Sequence, residues 1–166
     1  MVFKNINEYF QYLYSLERAG MKYDLTNITK LCKALGNPQD KFRSIHIAGT
    51  NGKGATASFT ASVLMEHGLK TGLFTSPHIL QFNERIRVNG KYISNAYIKK
   101  FLEENIKLIK RIKPSFFEVN TAMACKYFAD KKVDIAVIEC GLGGRLDSTN
   151  ILNPVVSAIT QIDMDH

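Results

Sequence analysis

One stretch constrains this chain more than any other: Ser44-Ile45-His46-Ile47-Ala48-Gly49-Thr50-Asn51-Gly52-Lys53-Gly54-Ala55-Thr56. An apolar run with β-branched residues comes first. Three glycines and a lysine then fall within six positions, and a long helical pattern starts at the lysine. This is the layout of a strand, a loop and a helix N-terminus. Glycines let the backbone curl closely enough for consecutive N–H groups to converge on phosphate oxygens. The helix start adds partial positive charge and unpaired donors, and Lys53 brings an ammonium toward the terminal phosphates. The general phosphate-loop pattern G-x-x-x-x-G-K-[ST] fails at two places: Ile47 stands where the first glycine belongs, and Gly54 where the hydroxyl residue belongs. On the motif alone the stretch is either a phosphate cradle or an ordinary glycine-rich turn. The strand before it and the helix after it favour the cradle.

The rest of the chain reads as alternating helices and strands. Asn5 to Arg18 places Ile6, Tyr9, Phe10, Leu13 and Leu16 at helical spacing, with Asn5 or Asn7 to cap the start and Gly20 to close it. A second short helix follows Thr26 and runs through Leu35, where Gly36-Asn37-Pro38 stops it. Strand one covers Arg43 to Ala48, and the helix after the loop runs from Lys53 to Glu66 or His67. Thr71 to Thr75 is a second strand. Ser76 to Lys91 opens as an irregular loop and ends in a hairpin at Asn89-Gly90. Asn95 caps a helix over Ala96 to Ile112, whose lysine-rich outer face is a solvated face before it is an anion site. Phe116 to Ala129 is a further helix. Asp134 to Cys140, apolar nearly throughout, reads as a strand covered on both faces. The glycine-rich Gly141 to Asn150 loop and a fourth strand over Pro154 to Thr160 complete the pattern. The fold class is therefore α/β, a mostly parallel sheet flanked by helices.

Composition excludes several classes. No apolar run approaches the ~20 residues of a membrane span, and the charged N-terminus is no secretory leader. Cys32, Cys125 and Cys140 are widely spaced and form no metal-binding pattern, which fits reduced thiols in the cytoplasm. The net charge of +7 suits an anionic ligand, and no nucleic-acid motif accompanies it.

A parallel sheet collects its strand C-termini on one edge, so the Gly49–Gly54 loop, Ser76, Glu139 with Gly141 to Gly144, and Asp165-His166 gather there. Glu139 ends an apolar strand, where an unpaired buried carboxylate costs several kcal/mol. It requires either a bound Mg2+ or a Lys or Arg partner. Mg2+ takes a few oxygen ligands and keeps waters. Ser76 and Glu139 would supply two ligands, with His166 an unusual third.

These segments together carry a resemblance. HIAGTNGKGAT, TSPHILQFNERIRVNG, FFEVNTAMACKYF, VDIAVIECGLGGRLDSTNIL and ITQIDMDH resemble, in order, the folylpolyglutamate synthase / dihydrofolate synthase family of the Mur-ligase superfamily. That family's nucleotide loop, G-T-N-G-K-G-[ST], accounts for the failed general pattern. The resemblance implies an ATP-dependent carboxylate–amine ligase of folate biosynthesis and one-carbon metabolism. Its substrates would be a folate or dihydropteroate and L-glutamate, and its cofactors ATP and Mg2+. It implies that Gly49, Thr50, Asn51, Gly52, Lys53, Gly54, Ala55 and Thr56 bind ATP. It assigns Mg2+ to Ser76, Glu139 and His166, with Lys53, Glu139 and His166 catalytic. Phe117, Arg145 and Asp147 would lie at the folate pocket, although Phe117 suits a core position equally well. Ala55 departs from the family's hydroxyl residue, with Thr56 next to it. The resemblance further implies that residues 1–166 are an N-terminal portion of a P-loop-like central domain, with little or no turnover of their own. The remainder of that domain and a C-terminal domain would lie beyond His166. Self-association through the faces so exposed is expected.

Overall fold

The computed structural model describes residues 5–19 and 24–164. Asp165 and His166, and with them one expected metal ligand, lie outside the described residues, as does Gly20, the expected stop of the first helix. Helix α1 (Ile6–Ser15) is capped by Asn5, whose Oδ1 accepts the Glu8 N–H at 3.1 Å. It buries Tyr9 and Leu13 and passes into a 3-10 turn over Leu16–Ala19, so it ends earlier than its apolar spacing suggests. Helix α2 (Thr26–Ala34) includes Thr26 as its first residue, and Asp24 Oδ1 accepts the Thr26 N–H. The sequence then runs β1 (Arg43–Ala48), α3 (Lys53–Glu66), β2 (Thr71–Phe74), β3 (Ile86–Val88), β4 (Lys91–Tyr92), α4 (Asn95–Ile112), α5 (Phe116–Lys131), β5 (Ile135–Glu139) and β6 (Val156–Ile159). Ser94, not Asn95, caps α4 by accepting the Tyr97 N–H. Ser115 and Glu118 form a reciprocal capping box on α5, which satisfies two amides at the helix start.

The strands lie in the order β4-β3-β2-β5-β1-β6. β2, β5, β1 and β6 are parallel, and the β3–β4 hairpin adds an antiparallel margin beside β2. β5 slots between β1 and β2, so the loops after β1 and β5 are neighbours at the C-terminal edge. The chain reverses its progress across the sheet there, passing from β5 over β1 to β6. Ligand crevices in open α/β sheets form at such a reversal.

Alternation along β5 assigns its faces. Val137 packs with Ile47 and Leu73 against Ala57 and Ala61 of α3, where small residues let the helix sit close. Ala136 and Ile138 join the larger core on the opposite face, with Phe74, Phe128 and Met123. Each fully buried large side chain there contributes roughly 1.5–3 kcal/mol. Glu139 follows Val137 by two residues and therefore lies on the α3 face, at the end of the sheet where α3 begins. β6 is an edge strand, and Val156 and Ile159 on it are exposed, as are Phe59 and Val63 of α3.

Candidate functional site

The loop after β1 is shaped by its glycines. Gly49 has φ +132°, and a Cβ there would stand 2.1 Å from Thr160 Oγ1. Only glycine lets β1 and β6 approach this closely as the chain leaves the sheet. Gly52, in the left-handed region, precedes Lys53, the first residue of α3. No side chain caps this helix start, and the Thr56 N–H, bonded to Gly52 O, is the first amide taken up within the helix. The donors of the first turn are thus turned toward the crevice. Lys53 folds back over the loop: Nζ donates to Gly49 O at 2.7 Å and Thr50 O at 2.9 Å. Thr50 and Asn51 face the other way, and their N–H groups bond to Gln161 O. The Thr50 hydroxyl lies 3.1 Å from Asp163 backbone atoms. Of the eight loop positions expected to meet ATP, Thr50, Asn51 and Thr56 have committed amides. Ala55 is exposed and Thr56 half-buried.

Glu139 sits directly beneath the helix start. It is 4 % exposed, and its Oε1 would be 3.4 Å from a Cβ on Gly54, in van der Waals contact with the helix start. Oε2 accepts the Ser76 N–H at 2.7 Å. Among the described residues Glu139 has no ion pair: Lys53 is turned to the loop carbonyls and Arg85 to His78. The alternative of a salt-bridged Glu139 is therefore not what the fold adopts. Burial pushes its carboxyl above the usual range, opposed by the Ser76 N–H and by the Lys53 and Arg85 charges. One carboxylate with no partner on Oε1 among the described residues, bonded through Oε2 to the backbone of a serine, offers hard-oxygen donors. Among the described residues no group of three acidic, histidine or cysteine side chains surrounds it. A carboxylate oxygen suits Mg2+, which takes oxygen ligands and keeps waters.

Ser76 is positioned by a loop that its own sequence organises. The Glu84 carboxylate accepts the N–H groups of Ile79, Leu80 and Gln81, and these bonds hold its carboxyl below the usual range. Arg85, buried, donates Nε–H to His78 Nδ1 at 2.8 Å and places its guanidinium carbon 5.2 Å from the centre of the Phe116 ring. Burial, then the Arg85 charge, depress the His78 pKa. The sequence reading missed Glu84 and Arg85. Glu84 was signalled by its place three residues after Gln81, the capping-box spacing that the structure forms.

Across the crevice, the loop after β5 packs on α5. A Cβ on Gly141 would stand 2.5 Å from Phe117 Cζ and 2.9 Å from Asp147 Oδ2. Phe117, half-buried, also lies 5.8 Å from the Phe74 ring, so it packs both on the core and against the loop after β5. Asp147 is buried and its carboxylate is fully occupied: Oδ2 accepts the Leu142 N–H, and Oδ1 accepts from Thr149 N–H and Thr149 Oγ1–H. It shapes the loop. Arg145 is exposed, and its carbonyl accepts Asn150 Nδ2. The three thiols are buried and free; burial pushes Cys32 and Cys140 up to about 12.

A scan against protein-family models finds no match. Individual proteins do match. The chain is 41 % identical over 169 residues to the folylpolyglutamate synthase of Lacticaseibacillus casei, covering 98 % of this chain and 40 % of that protein. Its fold superposes on the crystal structure of folylpolyglutamate synthase from Thermotoga maritima with a TM-score of 0.90 and 44 % identity, over 96 % of this chain and 38 % of that one. A folylpolyglutamate synthase complex with AMPPCP and folate gives a TM-score of 0.91 at 41 % identity, over 98 % and 41 %. The chain thus spans about two fifths of the length of each of these three proteins.

Proposed function

We propose that this chain, which belongs to the folylpolyglutamate synthase family, forms the nucleotide- and metal-holding part of an ATP-dependent ligase that joins L-glutamate to a folate carboxylate. The observation that carries the reading is the uncapped start of α3 with Lys53 at the loop, set directly over the buried, unpaired Glu139 and Ser76. Similar proteins bind an ATP analogue with folate, or ADP.

In this reading the first-turn amides of α3 and Lys53 hold the ATP phosphates. The folate carboxylate attacks the γ-phosphorus, the bond to the bridging oxygen of ADP breaks, and an acyl phosphate forms. The glutamate amine then attacks the acyl carbon, phosphate departs and the amine proton is lost. All the reactants are anionic, so fixed donors aimed at the phosphates are where electrostatic preorganisation acts. Mg2+, held by Glu139, Ser76 and phosphate oxygens, would neutralise charge developing on the transferred group. The Asp147 carboxylate shapes the Gly141 loop beside Phe117, and Phe117 with exposed Arg145 faces the folate. His166 remains assigned to the metal through the family resemblance alone.

A coupled assay of ADP release with Mg-ATP, a reduced folate and L-glutamate tests this. The account expects this chain, as the nucleotide- and metal-holding part of the site, to bind Mg-ATP but to give little glutamate-dependent ADP. Nucleotide binding without ligase activity is thus the reading favoured for the isolated chain. Failure of the folded chain to bind Mg-ATP would contradict the proposal. Vigorous glutamate-dependent turnover would support the ligase and overturn the expected inactivity.

No described helix is long and apolar enough to cross a membrane, and we assign the protein to the cytoplasm. Exposed Val156 and Ile159 on the β6 edge favour pairing with a second chain. Sedimentation velocity should show association that Ile159→Lys weakens, and a concentration-independent monomer would refute it.

A further inference from the structure

His46 is buried within β1, between Ile45 and Ile47, and its register partner on β5 is Ile138, on the face opposite α3. It is thus outside the nucleotide crevice, and the mechanism above does not use it. Its Nε2 lies 2.7 Å from Thr149 Oγ1. The direction of that bond follows from counting protons. Asp147 accepts three hydrogen bonds as a carboxylate and has no proton to give. The 2.5 Å contact from Thr149 Oγ1 to Asp147 Oδ1 therefore uses the single hydroxyl proton of Thr149. The Cys140 thiol also hydrogen-bonds Thr149. With the hydroxyl proton committed to Asp147, Thr149 Oγ1 accepts from both the thiol and His46, so the imidazole carries its proton on Nε2. The result is a one-way chain: His46 Nε2–H to Thr149, Thr149 O–H to Asp147, and Asp147 Oδ2 receiving the Leu142 N–H. It links β1 to the loop after β5, across 103 residues of sequence between His46 and Thr149. Burial lowers the imidazole pKa, opposed by Asp147.

We propose that His46 is a positioning residue for the Gly141–Asp147 loop, fixing through Thr149 and Asp147 the Leu142 backbone and with it the surface offered to the folate-side ligand. The last clause rests on the function proposed above. The hydrogen-bonded relay itself does not, and the two are tested separately.

Nitrogen-15 NMR of the imidazole reads the tautomer, and hydrogen exchange at the Leu142 amide reads the loop. The relay predicts a protonated Nε2 in His46. His46→Leu should speed Leu142 exchange at least about five-fold, with α4 amides unchanged. His46→Gln, whose side-chain amide offers a donor at similar reach, should restore it. Thr149→Val removes the hydroxyl at nearly constant shape and serves if His46→Leu does not fold. A proton on Nδ1, or Leu142 exchange unchanged in both His46→Leu and Thr149→Val, would overturn the relay. For the ligand, His46→Leu should weaken folate binding at least about five-fold and leave Mg-ATP binding within two-fold, as about expected for a group that touches neither. Equal loss of both ligands would indicate a merely structural role. No folate binding by the wild-type chain would count against the folate assignment of the loop, while the tautomer and exchange results would still decide the relay.

Discussion

Lys53→Ala should lower the affinity of this chain for Mg-ATP by about 10- to 100-fold, since a charge-assisted hydrogen bond contributes roughly 1.5–3 kcal/mol and each 1.4 kcal/mol is about tenfold. The ammonium lies at the loop, bonded to the carbonyls of Gly49 and Thr50. A nucleotide needs only to draw it from two carbonyl oxygens to phosphate. Alanine at the first position of α3 is a good helix former, so the fold should survive, which circular dichroism checks. Displacement of a fluorescent nucleotide reads the affinity. Lys53→Arg should not restore it fully, because a planar guanidinium does not replace a compact ammonium within a tight backbone loop. An alanine variant that binds within three-fold of wild type would remove Lys53 from the phosphate site.

Glu139→Gln should have opposite effects on stability and function. Burial raises the Glu139 carboxyl pKa in the folded chain, so the folded state holds this proton more tightly than the unfolded state does. The favourable contribution is fully present at low pH and is lost as pH rises through the raised folded pKa. At pH 7.5 the ionised, unpaired carboxylate therefore weighs against the ligand-free fold. Glutamine keeps an acceptor for the Ser76 N–H and carries no charge. Thermal melts at pH 7.5 should show the variant more stable by about 2 °C, with the gap closing below the usual glutamate pKa, where both side chains are neutral. The Mg2+-dependent part of nucleotide binding should disappear in the same variant. A variant less stable at pH 7.5 would mean that the fields of Lys53 and Arg85 outweigh burial.

The elements that build the crevice were legible because their signals are local. Arg43–Ala48 alternates β-branched residues before a glycine loop, Lys53 opens a run of small helix formers, and Ile135–Glu139 is a short apolar run in a chain that otherwise alternates. Each was expected close to its observed bounds. Cap positions were less legible. Ser94 and Asn95 are both good caps, and only the tertiary placement of α4 chooses Ser94. Contacts between distant segments were not legible at all. Nothing local says that the Ser76 N–H reaches Glu139 or that His46 reaches Thr149. The choice between a metal and an Arg or Lys partner at Glu139 needed three-dimensional placement for the same reason: Lys53 and Arg85 are near enough to act on it but are directed elsewhere.

The central claim is that the start of α3, Glu139 and Ser76 form one site for a metal–nucleotide complex. Titration of the nitrogen-15-labelled chain with Mn2+ and AMPPCP tests it directly, because Mn2+ takes oxygen ligands as Mg2+ does and broadens nearby amide signals. The account predicts that the amides of Gly54, Ser76 and Cys140 broaden first, that those of α4 persist, and that Glu139→Gln abolishes the selective loss. Broadening centred elsewhere, or a folded wild-type chain in which these amides stay sharp at saturating nucleotide, would contradict it.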